Sequence, residues 1–131
     1  MILFYAAQDN LIVKTLERQM AGYKVARCRA FSTMERRLRK PNHGLEIVLM
    51  VVEDSKEMGG IEEIQGLLRD LRLVLVLPGR DTELVSQAHK LAPRFIAYAD
   101  HDTEQVGAVM KKMTRDCRGK SAMPALALAE Q

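Results

Sequence analysis

The chain has 131 residues, 47% hydrophobic and 28% charged, with a net charge of +3. That length fits one ordinary domain, and the composition is that of a globular chain rather than a disordered one. No apolar run approaches the roughly 18 residues that span a bilayer, and the apolar start "MILFYAAQDN" lacks the basic leader and long apolar core of a signal peptide.

Periodicity alternates between two kinds of segment along the chain. "MILFYA" is a continuous apolar strand. "NLIVKTLERQMAG" repeats apolar residues at Leu11, Ile12, Leu16 and Met20, with Gly22 just past its end, and predicts a helix. "YKVARCRA" alternates and predicts a strand exposed on one side, near a sheet edge. "STME" at 32–35 has the capping-box form and predicts the start of a short helix that stops at Pro41. A third strand is predicted over 46–52, where six consecutive apolar residues, Ile47 to Val52, run into Glu53 and Asp54. "MGG" at 58–60 reads as a turn, and "IEEIQGLLRDL" then places Ile61, Ile64, Leu67, Leu68 and Leu71 on one helical face. "LRLVLVL" is another buried strand, ended by "PGRD"; Asp81 or Thr82 caps the next helix, which Pro93 ends. "RFIAYA" is a short strand, and Thr103 caps a last helix with Val106, Val109, Met110 and Met113 on one stripe. The small-residue tail at 119–131 is expected to be mobile or to form a short docking segment, which leaves 1–118 as the folded domain.

Five strands alternate with five helices, and the strands are continuously apolar. That pattern predicts a doubly wound α/β fold, a parallel sheet covered by helices on both faces. At this length the flavodoxin-like order 2-1-3-4-5 is expected, with strands one, three and four at the centre.

Charge is unevenly distributed. Lys24, Arg27, Arg29, Arg36, Arg37, Arg39 and Lys40 face only Glu35 within 24–40, whereas 46–63 is acidic. A basic patch of this kind binds phosphates or is a solvated face. Aromatics are only 5% and Trp is absent, which argues against a base-stacking surface and against sequence-specific nucleic-acid binding. Cys28 and Cys117 lack metal-ligand spacing and read as two free thiols. His89 falls in a helical segment, His43 and His101 in loops, so a zinc site is not expected. No glycine-rich phosphate loop follows strand one, and no Ser-His-Asp or Cys-His arrangement is suggested. No cofactor is expected.

In sheets of this kind ligands bind at the carboxyl ends of the strands. Here those ends carry Ala6, Ala7, Gln8 and Asp9; Val52, Glu53 and Asp54; Leu77, Pro78 and Gly79; and Tyr98, Ala99, Asp100 and His101. The layout of elements over 1–117, with "GGIEEI" at 59–64, resembles a bacterial response-regulator receiver (CheY-like) domain. That resemblance implies a phosphoacceptor Asp after strand three and an acidic pair after strand one to hold Mg²⁺. It also implies a Thr or Ser after strand four and a Lys after strand five. Laid on this chain, the acidic pair falls on Ala6 and Ala7, the phosphoacceptor on Val52, the hydroxyl on Leu77 or Pro78, and the Lys on Ala99. A one-residue slip brings Glu53 or Asp54 near the phosphoacceptor position and lets Asp9 supply one carboxylate. The metal and the charge stabilisation of phosphoryl transfer are then absent together.

The expected function is that of a phosphorylation-independent pseudo-receiver. It would be a cytoplasmic, non-enzymatic signalling module that stands alone and binds a protein, with homodimerisation as the simplest case. The resemblance places the partner surface on helix four, strand five and helix five, here Lys90, Arg94, Tyr98, Lys111 and Arg115. The alternatives are a small-ligand or anion binder or enzyme on the same architecture, and a true phospho-receiver using Asp54 or Glu53. Glu53 as a fixed mimic of a phosphorylated Asp is a further reading.

Overall fold

The structure, a computed structural model, describes residues 1–41, 44–99 and 103–122, with the side chains of 104–115 in the last stretch. The readings of His43, Asp100, His101, the Thr103 cap, the Cys117 thiol and the tail at 123–131 lie outside the described residues.

Strands β1 (Ile2–Tyr5), β2 (Val25–Cys28), β3 (Ile47–Val51), β4 (Arg72–Leu77) and β5 (Phe95–Tyr98) alternate with helices α1 (Leu11–Gln19), α2 (Phe31–Leu38), α3 (Ser55–Glu63), α4 (Thr82–Lys90) and α5 (Thr103–Ala122). All pairings are parallel and the strand order is β2-β1-β3-β4-β5, as expected. The apolar strands explain the arrangement, because successive side chains point to opposite faces and both faces are covered. Ile2, Phe4, Ile47, Leu49, Val51, Val74 and Val76 pack with Val13 and Leu16 of α1 and Val106 and Met110 of α5. Leu3, Tyr5, Val48, Met50, Leu73, Leu75 and Leu77 pack on the other face with Met34 of α2, Met58 and Ile61 of α3, and Leu84 of α4. Each such buried side chain contributes about 1.5–3 kcal/mol. The central strands are the most apolar because only they are buried on both faces and both edges.

Helices α1, α3 and α4 start where a side chain meets the first free N–H groups. Asn10 Oδ1 accepts from Val13 N at 3.0 Å, Asp54 Oδ1 from Glu57 N at 2.8 Å, and Asp81 Oδ1 from Leu84 N at 3.2 Å. Gly22 has φ +95, a conformation open to glycine, and turns the chain from α1 into β2.

Four local expectations are corrected. Leu11 is 74% exposed and does not belong to the core stripe of α1; as the first helical residue it points outward, and Val13 takes the inner place. Ser32 does not open α2, which begins at Phe31 with Ala30 as an N-cap that has no side-chain bond. The packing of Phe31 against Tyr5, edge to face with centroids 6.0 Å apart, is the contact found at this end of the helix. Residues 58–60 are not a turn but lie inside α3, because the Asp54 cap starts the helix earlier. The apolar run after it is not one helix: α3 ends at Glu63 and a 3₁₀ turn (Gln65–Leu68) follows, which still buries Ile61, Ile64 and Leu68.

Two adjacent glycines inside a helix weaken it. A Cβ at Gly60 would meet the Phe31 ring at 3.4 Å, whereas one at Gly59 would meet nothing within 4 Å. Gly59→Ala is therefore expected to raise stability by about 0.5–1 kcal/mol. A urea titration measures this, and a loss of stability would show that Gly59 is held for another reason.

Candidate functional site

The carboxyl edge of the sheet is closed by three backbone bonds that continue the ladder one residue past each strand. Ala6 N donates to Cys28 O at 3.1 Å, Val52 N to Val76 O at 2.9 Å, and Ala99 N to Leu77 O at 2.8 Å. Ala6 and Val52 are buried, Ala99 is half-buried, and Ala7 and Pro78 are exposed. These positions present methyl groups, a valine and a proline ring to the edge.

Asp9, Asp54 and Glu57 at this edge each have partners. Asp9, after β1, meets both arginines of the neighbouring edge strand: Oδ1 lies 3.0 Å from Arg27 Nη2 and Oδ2 lies 3.3 Å from Arg29 Nη2. Arg27 lies across the ends of β1 and β2. Its Nη1 donates to Ala6 O at 2.8 Å and Cys28 O at 2.7 Å, Glu17 lies 3.6 Å from Nε, and the guanidinium sits 5.0 Å above the Phe4 ring.

After β3 the chain forms a reciprocal cap. Asp54 accepts from Glu57 N, while Glu57 reaches back, accepting from Glu53 N at 2.8 Å with Oε1 and from the Tyr5 hydroxyl at 2.5 Å with Oε2. This departs from the usual capping box, because the returning side chain takes the N–H before the cap residue. Burial first, then the hydrogen bond to Glu57 and the charges of Glu57, Glu53 and Asp54, push the Tyr5 phenol far above its ordinary range, so it stays protonated. Beyond β3, Ser55 Oγ lies 3.1 Å from Glu83 Oε1 and 2.9 Å from Gln87 Oε1 and joins α3 to α4.

Glu53 is half-buried at the centre of this cluster. Its carboxyl is pushed above the usual range by burial first, then by Glu57 and Asp54. A carboxyl that is harder to ionise when folded favours folding at acid pH, and this contribution is lost as pH rises through its folded value. Glu53→Gln is therefore expected to raise the melting temperature slightly at pH 7, with solvent screening keeping the gain small. The difference should vanish below about pH 4, where the unfolded-state carboxylate also takes up its proton. Melting curves at both pH values decide it; a gain that persists at low pH would assign the effect to packing.

Among the described residues no three His, Cys, Asp or Glu side chains are grouped so as to hold a metal ion. Cys28 is buried, and burial pushes its thiol up, so it is a poor nucleophile. The five residues read as a partner surface are spread along α4, β5 and α5. Lys90, Arg94, Lys111 and Arg115 are exposed, but Arg94 precedes β5 at the amino edge while Tyr98 ends it at the carboxyl edge. Tyr98 is half-buried with the Arg80 guanidinium 4.0 Å above its ring. Sequence reasoning placed Arg27 only in the basic patch and missed its role at the strand ends, as it missed those of Glu57, Tyr5 and Ser55. The Asp-Ser-Lys-Glu spacing at 54–57 was a readable cap signal; the Arg27 and Tyr5 contacts join distant segments and left no signal.

This fold, a five-stranded parallel sheet in the order 2-1-3-4-5 with helices on both faces, is that of the response-regulator receiver domain. A pilus assembly-related protein from Burkholderia pseudomallei superposes with a TM-score of 0.66 at 16% identity, covering 86% of this chain and 87% of that one. A CheY-like response regulator from Mesorhizobium loti gives 0.64 at 16%, covering 86% and 96%. A pilus assembly protein from Burkholderia thailandensis gives 0.64 at 15%, covering 87% and 97%. No family model matches the chain, and no curated protein matches it. Among the described residues no helix is long and apolar enough to cross a membrane.

Proposed function

We propose that this chain is a receiver-fold signalling module that works without aspartyl phosphorylation and acts by binding protein. The observation that carries the reading is the state of the carboxyl edge. Laid on the receiver pattern, the metal, phosphoacceptor, hydroxyl and lysine positions fall on Ala6 and Ala7, Val52, Leu77 or Pro78, and Ala99, none of which carries the required group. The nearby acids have structural partners: Asp9 is held by two guanidinium groups, and Asp54 and Glu57 form the α3 cap. These residues do not fit a magnesium site, because Mg²⁺ needs several hard oxygens in octahedral geometry. No catalytic role is assigned to them. Glu53 as a fixed phosphate mimic lacks a lysine or hydroxyl to answer it at Ala99 or Pro78.

The partner surface we favour is that of α4, β5 and α5. Exposed Glu83 and Glu104 offer counter-charges to Lys90, Arg94, Lys111 and Arg115, so a two-fold pairing through this face is electrostatically feasible. Two of the similar structures come from proteins named for pilus assembly, which favours an assembly component over a phosphorelay kinase as the partner.

The test is an amide NMR titration with millimolar Mg²⁺ and then beryllofluoride, an acyl-phosphate mimic. Peaks of residues 6–9 and 52–54 are expected to stay in place. Joint shifts of both segments with β5 would establish a working phospho-switch and overturn the proposal. Sedimentation of the same sample, with Lys111→Glu as comparison, reads self-association.

A further inference from the structure

The outer flank of α2 carries charge that the fold does not use. Thr33, Arg36 and Arg37 stand at helical positions i, i+3 and i+4 of α2, and together with Lys40, two residues past the helix end, they line a surface depression of about 120 Å³. Among the described residues, no carboxylate pairs with Arg36, Arg37 or Lys40. The opposite flank is neutralised, with Arg39 Nη2 2.9 Å from Glu35 Oε2. Arg37 is tethered only weakly: its Nη2 lies 4.0 Å from Met1 Sδ, and its Nε is buried without an acceptor. A guanidinium so placed has N–H groups left to give, and its planar fork suits a carboxylate.

We infer that this flank of α2 binds an extended acidic segment of a protein partner. Arg36 lies in the last turn of α2, and Lys40 follows just past its end, where its N–H donates to Arg37 O at 3.3 Å. Alternate side chains on one face of an extended chain are about 6.6 Å apart. An extended chain with acids on one face therefore offers successive carboxylates to the cations of this row, while Thr33 adds a hydroxyl at its end. Nucleic acid fits less well. No aromatic side chain lines the depression to stack a base, and three cations release few counterions from a phosphate backbone. A second copy meeting this flank two-fold would oppose like charges. The inference is independent of the phosphorylation pocket and of the α4–β5–α5 face.

The test uses the full chain at low salt, with amide NMR shifts read during titration with hexaglutamate and, separately, a short DNA duplex of matched charge. Hexaglutamate is expected to shift residues 33–40 and to weaken with added salt. The exposed pair Arg36→Glu with Lys40→Glu is expected to weaken binding at least about tenfold with the rest of the spectrum unchanged. Lys90→Glu with Lys111→Glu, of equal charge change on the other basic face, should leave it within about twofold. Equal losses from both pairs, no shifts at 33–40, or tighter binding of the duplex on this flank would each overturn the inference.

Discussion

Arg27→Ala is expected to lower the unfolding free energy by about 2–4 kcal/mol, the range for removing one partner from a half-buried charged network. The side chain is 16% exposed and serves five groups together: the carbonyls of Ala6 and Cys28, the Asp9 and Glu17 carboxylates and the Phe4 ring. Cys28 O keeps its bond from Ala6 N, but Ala6 O loses the donor found for it. Arg27→Lys should recover only part of the loss, because a single ammonium cannot span both carbonyls and Asp9 with the geometry of a fork. Asp9→Ala, whose carboxylate is exposed, should cost far less, about 0.5–1 kcal/mol. Chemical denaturation of the three variants measures the ordering. If Asp9→Ala proved as costly as Arg27→Ala, the role assigned to the carbonyl contacts would be wrong.

Glu57→Ala is expected to cost about 2–3 kcal/mol, from the lost cap and the two groups left without an acceptor. Those groups are the N–H of Glu53 and the hydroxyl of Tyr5, which is 2% exposed. The informative companion is Glu57→Gln. Glutamine still accepts from Glu53 N through its oxygen, and its amide can donate to the Tyr5 oxygen as the hydroxyl turns. It also removes one of the charges that raise Glu53 and Tyr5. Its cost is therefore expected to fall below about 1 kcal/mol, near the net worth of a single neutral hydrogen bond. A thermal melt of both variants checks this, and equal losses would show that the ionised carboxylate itself is required.

The two variants bear on function as well as stability. Asp9 and Glu57 are acids close to where a receiver would carry out its chemistry, and each is taken up in holding the edge together. If removing either one left the fold untouched, its contacts would be incidental and the carboxylate would be available for another role.

Much of the architecture was legible because burial on both faces imposes a pattern on the residues themselves. Continuous apolar strands such as "LRLVLVL", set between helical periods, allow few parallel arrangements, and the half-polar β2 had to lie at an edge. Local boundaries were less legible where two signals competed. At 58–60 the glycine pair suggested a turn, but the Asp54 cap upstream and the Phe31 ring above Gly60 make it helix. At 32–35 the hydroxyl and glutamate had the capping spacing, yet α2 opens at Phe31 with Ala30 as its N-cap.

Composition and periodicity by themselves determined the class of fold, the central and edge strands, and which residue types stand at the strand ends. They did so because side-chain alternation and helical period are properties of the chain alone. What those strand-end acids do was decided only in three dimensions. The pairing of β1 with β2 carries Arg27 and Arg29 to Asp9, and that of β1 with β3 brings Tyr5 to Glu57, 52 residues away. Such contacts depend on register between distant segments, and no spacing within either segment encodes them.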